Sequence, residues 1–473
     1  MGKGKQFKNI AYYFGGTLLS ALLGMISTPL LTRILSKEVY AQYGMVMTFT
    51  TALSTFLYLG QDEAFMRYFN SRKEGYWKFL ARCLRYPLIL CLITGLLLLE
   101  PSRAIVLVVF GERIADSACV LLCIYLLVLV IQRFLMLTAR MEERAANYSL
   151  SNIMTKGLFL VVVWLLYIRI SNVTLNGIIL ALTSGVLAAM IINIFVVIGV
   201  EHRANPCGVT ISSKEMLKYG FPLALTTTMG FSIPFIEKIV IRESTNWNLL
   251  AIYTAASVFV TVMNMVKVTV SNIWTPYAYK AYQNESEFKK AFFYIGISLT
   301  FFVICILSGT ILTRRWLVLI LNRDYFDVMI IAPAMVCGAC FDVLSTVYSI
   351  GIYIKKKTLN RTIVPIIRIL ISLPILAIGL PNLGLKATGL AYLLSIAVSR
   401  TVEIRMALHY YGTGRSNYKL IALMGMGIAI SILSLFFTSL RFDIFASGMT
   451  LLISMLLVKN EIVQAIKWIR TMM

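Results

Sequence analysis

Charge is scarce in this sequence, and acid is scarcer still. Only 14% of residues are charged, and 21 acidic residues stand against 44 basic ones, a formal net charge of +23. Soluble domains carry about 25% charged residues, so this composition, with 59% hydrophobic residues, excludes an ordinary soluble fold. Histidine is nearly missing: His202 and His409 are the only two, and neither sits in a metal-ligand pattern. No Gly-x-x-x-x-Gly-Lys-Ser/Thr loop occurs, which argues against ATP hydrolysis within the chain. No polar stretch is long enough to fold alone, and no soluble face presents a nucleophile and base together. Catalysis is therefore not indicated, and no cofactor is expected.

The eight cysteines do not read as a disulfide framework, because most fall inside apolar stretches. Cys337 and Cys340 spell a C-x-x-C pair, but within an apolar helix rather than in a strand–turn–helix context. Packing is their expected role.

What the sequence has instead is repeated apolar runs. They cover about 10–33, 39–61, 80–99, 114–138, 149–170, 174–200, 217–242, 248–272, 289–313, 327–352, 361–379, 385–410, 417–440 and 442–459. Each suits a helix crossing a hydrocarbon core, for which roughly twenty residues are needed. The shorter apolar stretches Ala104–Phe110 and Trp316–Leu321 read as interfacial turns. The fold class is thus an all-α integral membrane protein with about fourteen transmembrane helices.

The basic residues cluster in alternate loops, as charges that set topology do. Lys3, Lys5 and Lys8 open the series, followed by Arg72, Lys73, Lys78, Arg82 and Arg85. Arg140, Arg144, Lys214, Lys218, Lys289, Lys290, Lys355 to Lys357, Arg415, Lys419, Lys459, Lys467 and Arg470 continue it. This alternation predicts an even number of spans with both termini cytoplasmic, and argues against nucleic acid as the partner of the positive charge. Met1 to Lys8 lead into the first apolar run without a small-residue cleavage site, so that run is expected to be a retained helix.

A faint internal echo links Tyr40-Ala41-Gln42-Tyr43 with Leu250-Ala251-Ile252-Tyr253, and Tyr12-Tyr13-Phe14 with Tyr219-Gly220-Phe221. It suggests a six-helix lobe over 1–202, a second over 203–412, and two further helices with a tail over 413–473. Repeats of this kind in transporters commonly surround a substrate cavity.

Charges inside apolar spans cost about 2.5–3.5 kcal/mol at the bilayer centre by insertion scales, so they are informative. Here they are Glu237, Lys238, Lys267, Asp342, Arg368 and Arg400, with Arg33 ending the first span and Arg67 following the second. Cations predominate, and a phosphate or diphosphate would be attracted to such a set. Cavity lining is the reading for Lys238, Arg368 and Asp342, with Asp342 and Glu237 as counter-ions or ion-coupling groups. Snorkelling to the headgroup layer competes for Arg133, Lys267 and Arg400.

Several motifs carry a family resemblance. The segment Pro29-Leu30-Leu31-Thr32-Arg33-Ile34-Leu35-Ser36-Lys37-Glu38-Val39-Tyr40-Ala41-Gln42-Tyr43 is followed by Leu59-Gly60-Gln61-Asp62-Glu63-Ala64-Phe65-Met66-Arg67-Tyr68. Tyr219-Gly220-Phe221-Pro222-Leu223, Ile252-Tyr253-Thr254-Ala255-Ala256 and Trp274-Thr275-Pro276-Tyr277 come next. Lys355-Lys356-Lys357-Thr358 and Gly384-Leu385-Lys386-Ala387-Thr388-Gly389 complete the order. Together they resemble the polysaccharide flippases of the MOP (multidrug/oligosaccharidyl-lipid/polysaccharide) exporter superfamily, Wzx type, over roughly residues 10 to 410.

The resemblance implies two MATE-like lobes around a central cavity. It also implies alternating-access transfer of undecaprenyl-diphosphate-linked oligosaccharide from the inner to the outer leaflet of the bacterial cytoplasmic membrane. The expected partners are that lipid-linked glycan and the bilayer, with a polysaccharide polymerase and glycosyltransferases beside them. Arg33 and Arg67 match family arginines near the lobe interface. Glu237-Lys238 stands where relatives often have Asp-Arg, and Ala41 replaces a usual glycine. The expected substrate-binding cations are Arg33, Arg67, Lys238, Lys267 and Arg368. Two alternatives stand beside this reading. A cation-coupled drug antiporter of the same superfamily would want a more acidic cavity, and a membrane glycan polymerase or ligase would want a large outer loop.

Overall fold

The computed structural model describes residues 3–198, 211–245, 247–281, 285–354, 361–411 and 418–472. The Lys355-Lys356-Lys357-Thr358 motif, His202, Cys207 and Arg415 lie outside the described residues. Among those described there are seventeen α-helices and one short 3-10 turn, and fourteen of the α-helices run 19 residues or longer. Each apolar run expected to span corresponds to one of these fourteen. Eleven meet a strict length-and-hydropathy criterion for crossing a membrane. Of the other three, the second and the fifteenth carry more polar or charged side chains, and the first contributes the apolar stretch Leu19–Ile34. The chain divides into two compact units, Met1–Ile239 and Val240–Met473.

The first unit contains α1 (Lys3–Ile34), α2 (Lys37–Leu57), α3 (Gln61–Tyr68), α4 (Tyr76–Leu99) and α5 (Ala104–Phe110). It continues with α6 (Asp116–Met141), α7 (Ala145–Ile170), α8 (Leu175–Ile198) and most of α9 (Ser213–Thr245). The α1–α2 turn explains part of the first motif. Ser36 caps α2, its hydroxyl accepting from the Val39 backbone N–H at 3.3 Å, with Glu38 in the first turn where the helix dipole favours an acid. Packing of α7 against α8 is backbone-close: a Cβ on Gly185 would stand 2.2 Å from the Thr155 carbonyl oxygen. Small residues at such crossings let membrane helices gain dispersion contact without a hydrophobic driving force between them.

The second span differs from its sequence-based extent. The apolar run continues to residue 61, yet the helix ends at Leu57 and a new one starts at Gln61. Leu59 and Gly60 both adopt left-handed backbone, with φ of 47° and 69°. A hydropathy pattern does not register such a break, because neither residue is polar.

The second unit contains α10 (Trp247–Ala281), α11 (Glu285–Leu319), α12 (Val328–Tyr348) and α13 (Ile350–Ile354). It ends with α14 (Ile363–Leu383), α15 (Leu385–Tyr411), α16 (Tyr418–Phe436) and α17 (Leu440–Met472). Its axle is α12, which packs on α10, α11, α15 and α16. The span containing α12 is 89% buried, against 17% to 56% for the other ten. A helix apolar on every side belongs in the middle of a bundle. Trp274, from the Trp274-Thr275-Pro276-Tyr277 motif, lies in this core and donates its indole N–H to the Val347 carbonyl at 3.1 Å.

The Trp316–Leu321 stretch corrects an expectation. Rather than forming an interfacial turn, its first residues continue α11 to Leu319. The extension is held by Arg314, which is fully buried and paired with the equally buried Asp443 of α17. Its Nε donates to Asp443 Oδ2 at 3.1 Å and its Nη2 to Oδ1 at 2.5 Å. Nη1 and Nη2 also donate to the Ser434 and Phe437 carbonyls, at 2.8 and 2.7 Å. One side chain thus satisfies carbonyls at the end of α16, which otherwise lack helical partners, and ties them to the acid in the first turn of α17. Ala104–Phe110, the other short stretch, is the separate seven-residue helix α5.

Candidate functional site

The intramembrane charges of the second unit converge. Asp342 sits two-thirds along α12, the most enclosed helix, where an ionised carboxylate is tolerable only with cationic partners. It has two. Lys267 of α10 donates to Oδ2 at 3.0 Å, and Arg400 of α15 donates from Nε to Oδ1. Each carboxylate oxygen therefore has its own cation. Arg400 extends the set, since Glu403 lies one turn further along α15, and Nη1 of Arg400 donates to Glu403 Oε2 at 2.7 Å. Glu403 accepts a second bond on Oε1 from Arg361 Nε at 2.8 Å, just ahead of α14. Arg368 of α14 stands with its guanidinium 5.6 Å from the centre of the Tyr392 ring, near enough for its charge to act on Asp342.

Four cations, Lys267, Arg361, Arg368 and Arg400, thus share this region with two carboxylates, Asp342 and Glu403. Glu403 is fully buried, while the side chains of Asp342 and Lys267 keep 19% and 33% of their exposure. The network is anchored at one end and reachable at the other. Clustered cations in a low-dielectric setting attract an anion strongly, and guanidinium groups bind phosphate oxygens bidentately.

Of the seven expected site residues, the structure brings together Lys267, Asp342 and Arg368. Snorkelling had competed for Lys267, Arg133 and Arg400; each instead pairs with a carboxylate inside its own unit. Sequence reading missed Glu403 and Arg361. The three-residue spacing of Arg400 and Glu403 was a signal for the first; nothing local signals Arg361.

The other four fall in the first unit. Lys238 is 5% exposed, and its ammonium donates to the Gly44 carbonyl of α2 at 2.7 Å. That geometry clamps α9 to α2 and gives the amine a structural partner rather than an open one. Glu237 beside it is 2% exposed. Arg33, in the last turn of α1, is exposed. Arg67 is exposed as well, with its guanidinium 4.2 Å from the centre of the Tyr219 ring and 5.5 Å from that of Tyr68.

The Tyr219 contact joins two of the motifs. Tyr68 and Tyr219 meet edge to face at 6.1 Å, and Gly60 and Gly220 touch through their backbones. A Cβ on Gly220 would stand 2.3 Å from the Gly60 carbonyl oxygen, so both positions need glycine.

Near this contact the first unit holds a cavity of about 290 Å³, lined by Ser54, Tyr58, Asp62, Glu63, Arg133 and Thr227 among others. Arg133 donates from Nη2 and Nε to Asp62 Oδ2, at 2.8 and 3.2 Å, and stands 5.7 Å from the Tyr58 ring centre. In the short α3, burial raises the pKa of Glu63, and the charge of Asp62 adds to that, against the opposing pull of Arg133 and Arg140. The pair Asp62–Arg133 is balanced, one charge of each sign. Among the described residues no cluster of histidine, cysteine and carboxylates fits a metal ion.

Comparison with known proteins follows the same lines. The sequence matches the model of the family described as Polysaccharide biosynthesis protein over residues 7–282. No curated protein matches it. Among solved structures, a lipid II flippase MurJ in an inward closed conformation superposes with a TM-score of 0.69 at 16% identity, covering 95% of this chain and 99% of that one. An inward-facing multidrug resistance MATE family transporter of the MOP superfamily gives 0.65 at 17% identity, over 84% of this chain and 96% of that one. A MATE structure in a bent conformation gives 0.56 at 15% identity, over 90% and 100%. A match over more than half of the chain, on an architecture shared with MurJ and the MATE transporters, places it plainly: the chain belongs to the polysaccharide biosynthesis protein family and has the helical membrane fold of the MOP superfamily.

Proposed function

We propose that this protein is a flippase that moves a polyprenyl-diphosphate-linked oligosaccharide from the inner to the outer leaflet of the bacterial cytoplasmic membrane, for cell-surface polysaccharide biosynthesis. The observation that carries this reading is the convergence of Lys267, Arg361, Arg368 and Arg400 around Asp342 and Glu403. Lys267, Arg368 and Arg400 sit on helices expected to cross hydrocarbon, where positive charge is costly and marks a substrate path. A diphosphate supplies negative charge in the amount and geometry that guanidinium groups and an ammonium bind. Family membership supports a role in polysaccharide assembly. A cationic drug would instead meet repulsion at this network, which disfavours the antiporter reading.

In this reading the diphosphate occupies the cationic network, the glycan travels in the polar path, and the polyprenyl tail stays in lipid. The site faces the two sides of the membrane alternately, driven by an ion gradient or by the membrane potential. Both termini are cytoplasmic, as the alternating basic loops imply. The test is translocation of a lipid-linked oligosaccharide by proteoliposomes containing Lys267→Ala, Arg368→Ala or Arg400→Ala. Each is expected to reduce flipping about tenfold or more, the loss of one charge-assisted contact. Undiminished flipping in all three would remove the network from the mechanism.

A further inference from the structure

We infer that Asp342 is a resident ligand of the cationic network, and that an incoming diphosphate binds by taking Lys267 and Arg400 from it. This rests on the reading above that the transported lipid carries a diphosphate. The geometry is that of an occupied anion site. One carboxylate oxygen accepts from Lys267 at 3.0 Å, the other from Arg400, and the two cations come from different helices that approach α12 independently. Nothing about the packing of α12 itself requires an acid at this position, since the helix is otherwise apolar or small all round. The carboxylate's partners, rather than its backbone, account for its presence.

Glu403 has the complementary part. It is fully buried, binds Arg400 through Nη1 and accepts from Arg361. When Asp342 gives up Arg400, Glu403 still holds that guanidinium in place, leaving the Nε edge directed at the site. Asp342 is therefore the exchangeable anion and Glu403 the fixed one, a positioning residue.

This arrangement makes Asp342 a charge filter. A ligand with a single negative charge exchanges one monoanion for another and gains little, while it must still be desolvated. A diphosphate offers more charge and more acceptor oxygens, and can engage both cations at once. The carboxylate thus lowers affinity for every anion, leaving monoanions too weak to hold the site, and it restores the network when the headgroup leaves. Release is otherwise the difficulty for a site that must bind a polyvalent anion inside a membrane.

The experiment measures binding of farnesyl diphosphate, and of farnesoic acid as a monoanion of matching chain, to the purified full-length protein in detergent. The native protein is expected to bind the diphosphate and to discriminate against the carboxylate. Asp342→Asn is expected to tighten diphosphate binding about tenfold, as removal of a close competing charge implies, and to bring farnesoic acid binding into measurable range. Unchanged or weaker diphosphate binding by a folded Asp342→Asn protein would overturn the inference.

Because that variant leaves two cations undercompensated, a charge-balanced pair provides a second arm. Lys267→Met with Asp342→Asn should bind the diphosphate more tightly than Lys267→Met alone, and weaker binding by the double variant is equally fatal. The substrate reading fails separately: folded native protein that binds neither probe removes the diphosphate reading and this inference with it. Native binding with no gain in the Asp342 variants removes only the filter.

Discussion

Arg314 and Asp443 are entirely buried, with all three guanidinium nitrogens bound to the carboxylate or to helix-end carbonyls. Lys267, Asp342 and Arg400 use the same chemistry, yet their side chains keep between 18% and 33% of their exposure. The first group is closed in geometry and serves the joint between α11, α16 and α17. The second is one end of a chain of ion pairs. What separates architecture from function here is not burial of charge alone but completeness of satisfaction together with access. Lys238 belongs with the closed group by that criterion, although its position in the sequence suggested the open one.

The contrast can be broken by substitution, and the largest effect is expected at its closed end. Arg314→Ala leaves the buried Asp443 with only Arg315, whose Nε stands 3.7 Å from Oδ2, and breaking such a pair costs about 3–5 kcal/mol. The expected result is a large fall in thermal stability of the purified protein. Arg314→Leu with Asp443→Leu should recover most of it, because no buried charge is then left and Arg315 keeps its access to solvent. A stable Arg314→Ala protein that binds diphosphate poorly would move Arg314 into the functional group.

Lys238→Met keeps the bulk of the side chain and removes its bond to the Gly44 carbonyl, leaving that acceptor with fewer donors. A cost of about 1–2 kcal/mol is expected, read as a lower unfolding temperature, with farnesyl diphosphate affinity unchanged. Loss of affinity at unchanged stability would place Lys238 with the open group after all. The smallest effect is expected at Arg67, whose contact with Tyr219 is at the surface. Arg67→Ala should cost about 0.5–1 kcal/mol as an exposed cation–π contact, while Arg67→Lys should cost less.

Much of this fold was legible before any coordinates. The fourteen long helices follow from apolar runs of spanning length. Which charges meet did not follow. Lys267, Asp342 and Arg400 are far apart in the chain, and only the packing of α10 and α15 on α12 brings them to one place. Hydropathy gave each of them the same sign of anomaly and no partner. The break at Leu59–Gly60 escaped for another reason: backbone handedness leaves little trace in a window of apolar residues. Arg314 was passed over because it fell just beyond the apolar run that defined its span, where a charge looks ordinary.

The Gly60–Gly220 contact has a consequence for how the protein is made. The left-handed break between α2 and α3 rests against backbone that belongs to α9, the last helix of the first unit to be synthesised. Until α9 has been inserted, the early helices lack the surface that holds this bend. Maturation of the first unit therefore waits on its final segment. A chain arrested before α9 would display an unfinished bend to the quality-control machinery of the membrane, however well its first eight helices had already entered the bilayer.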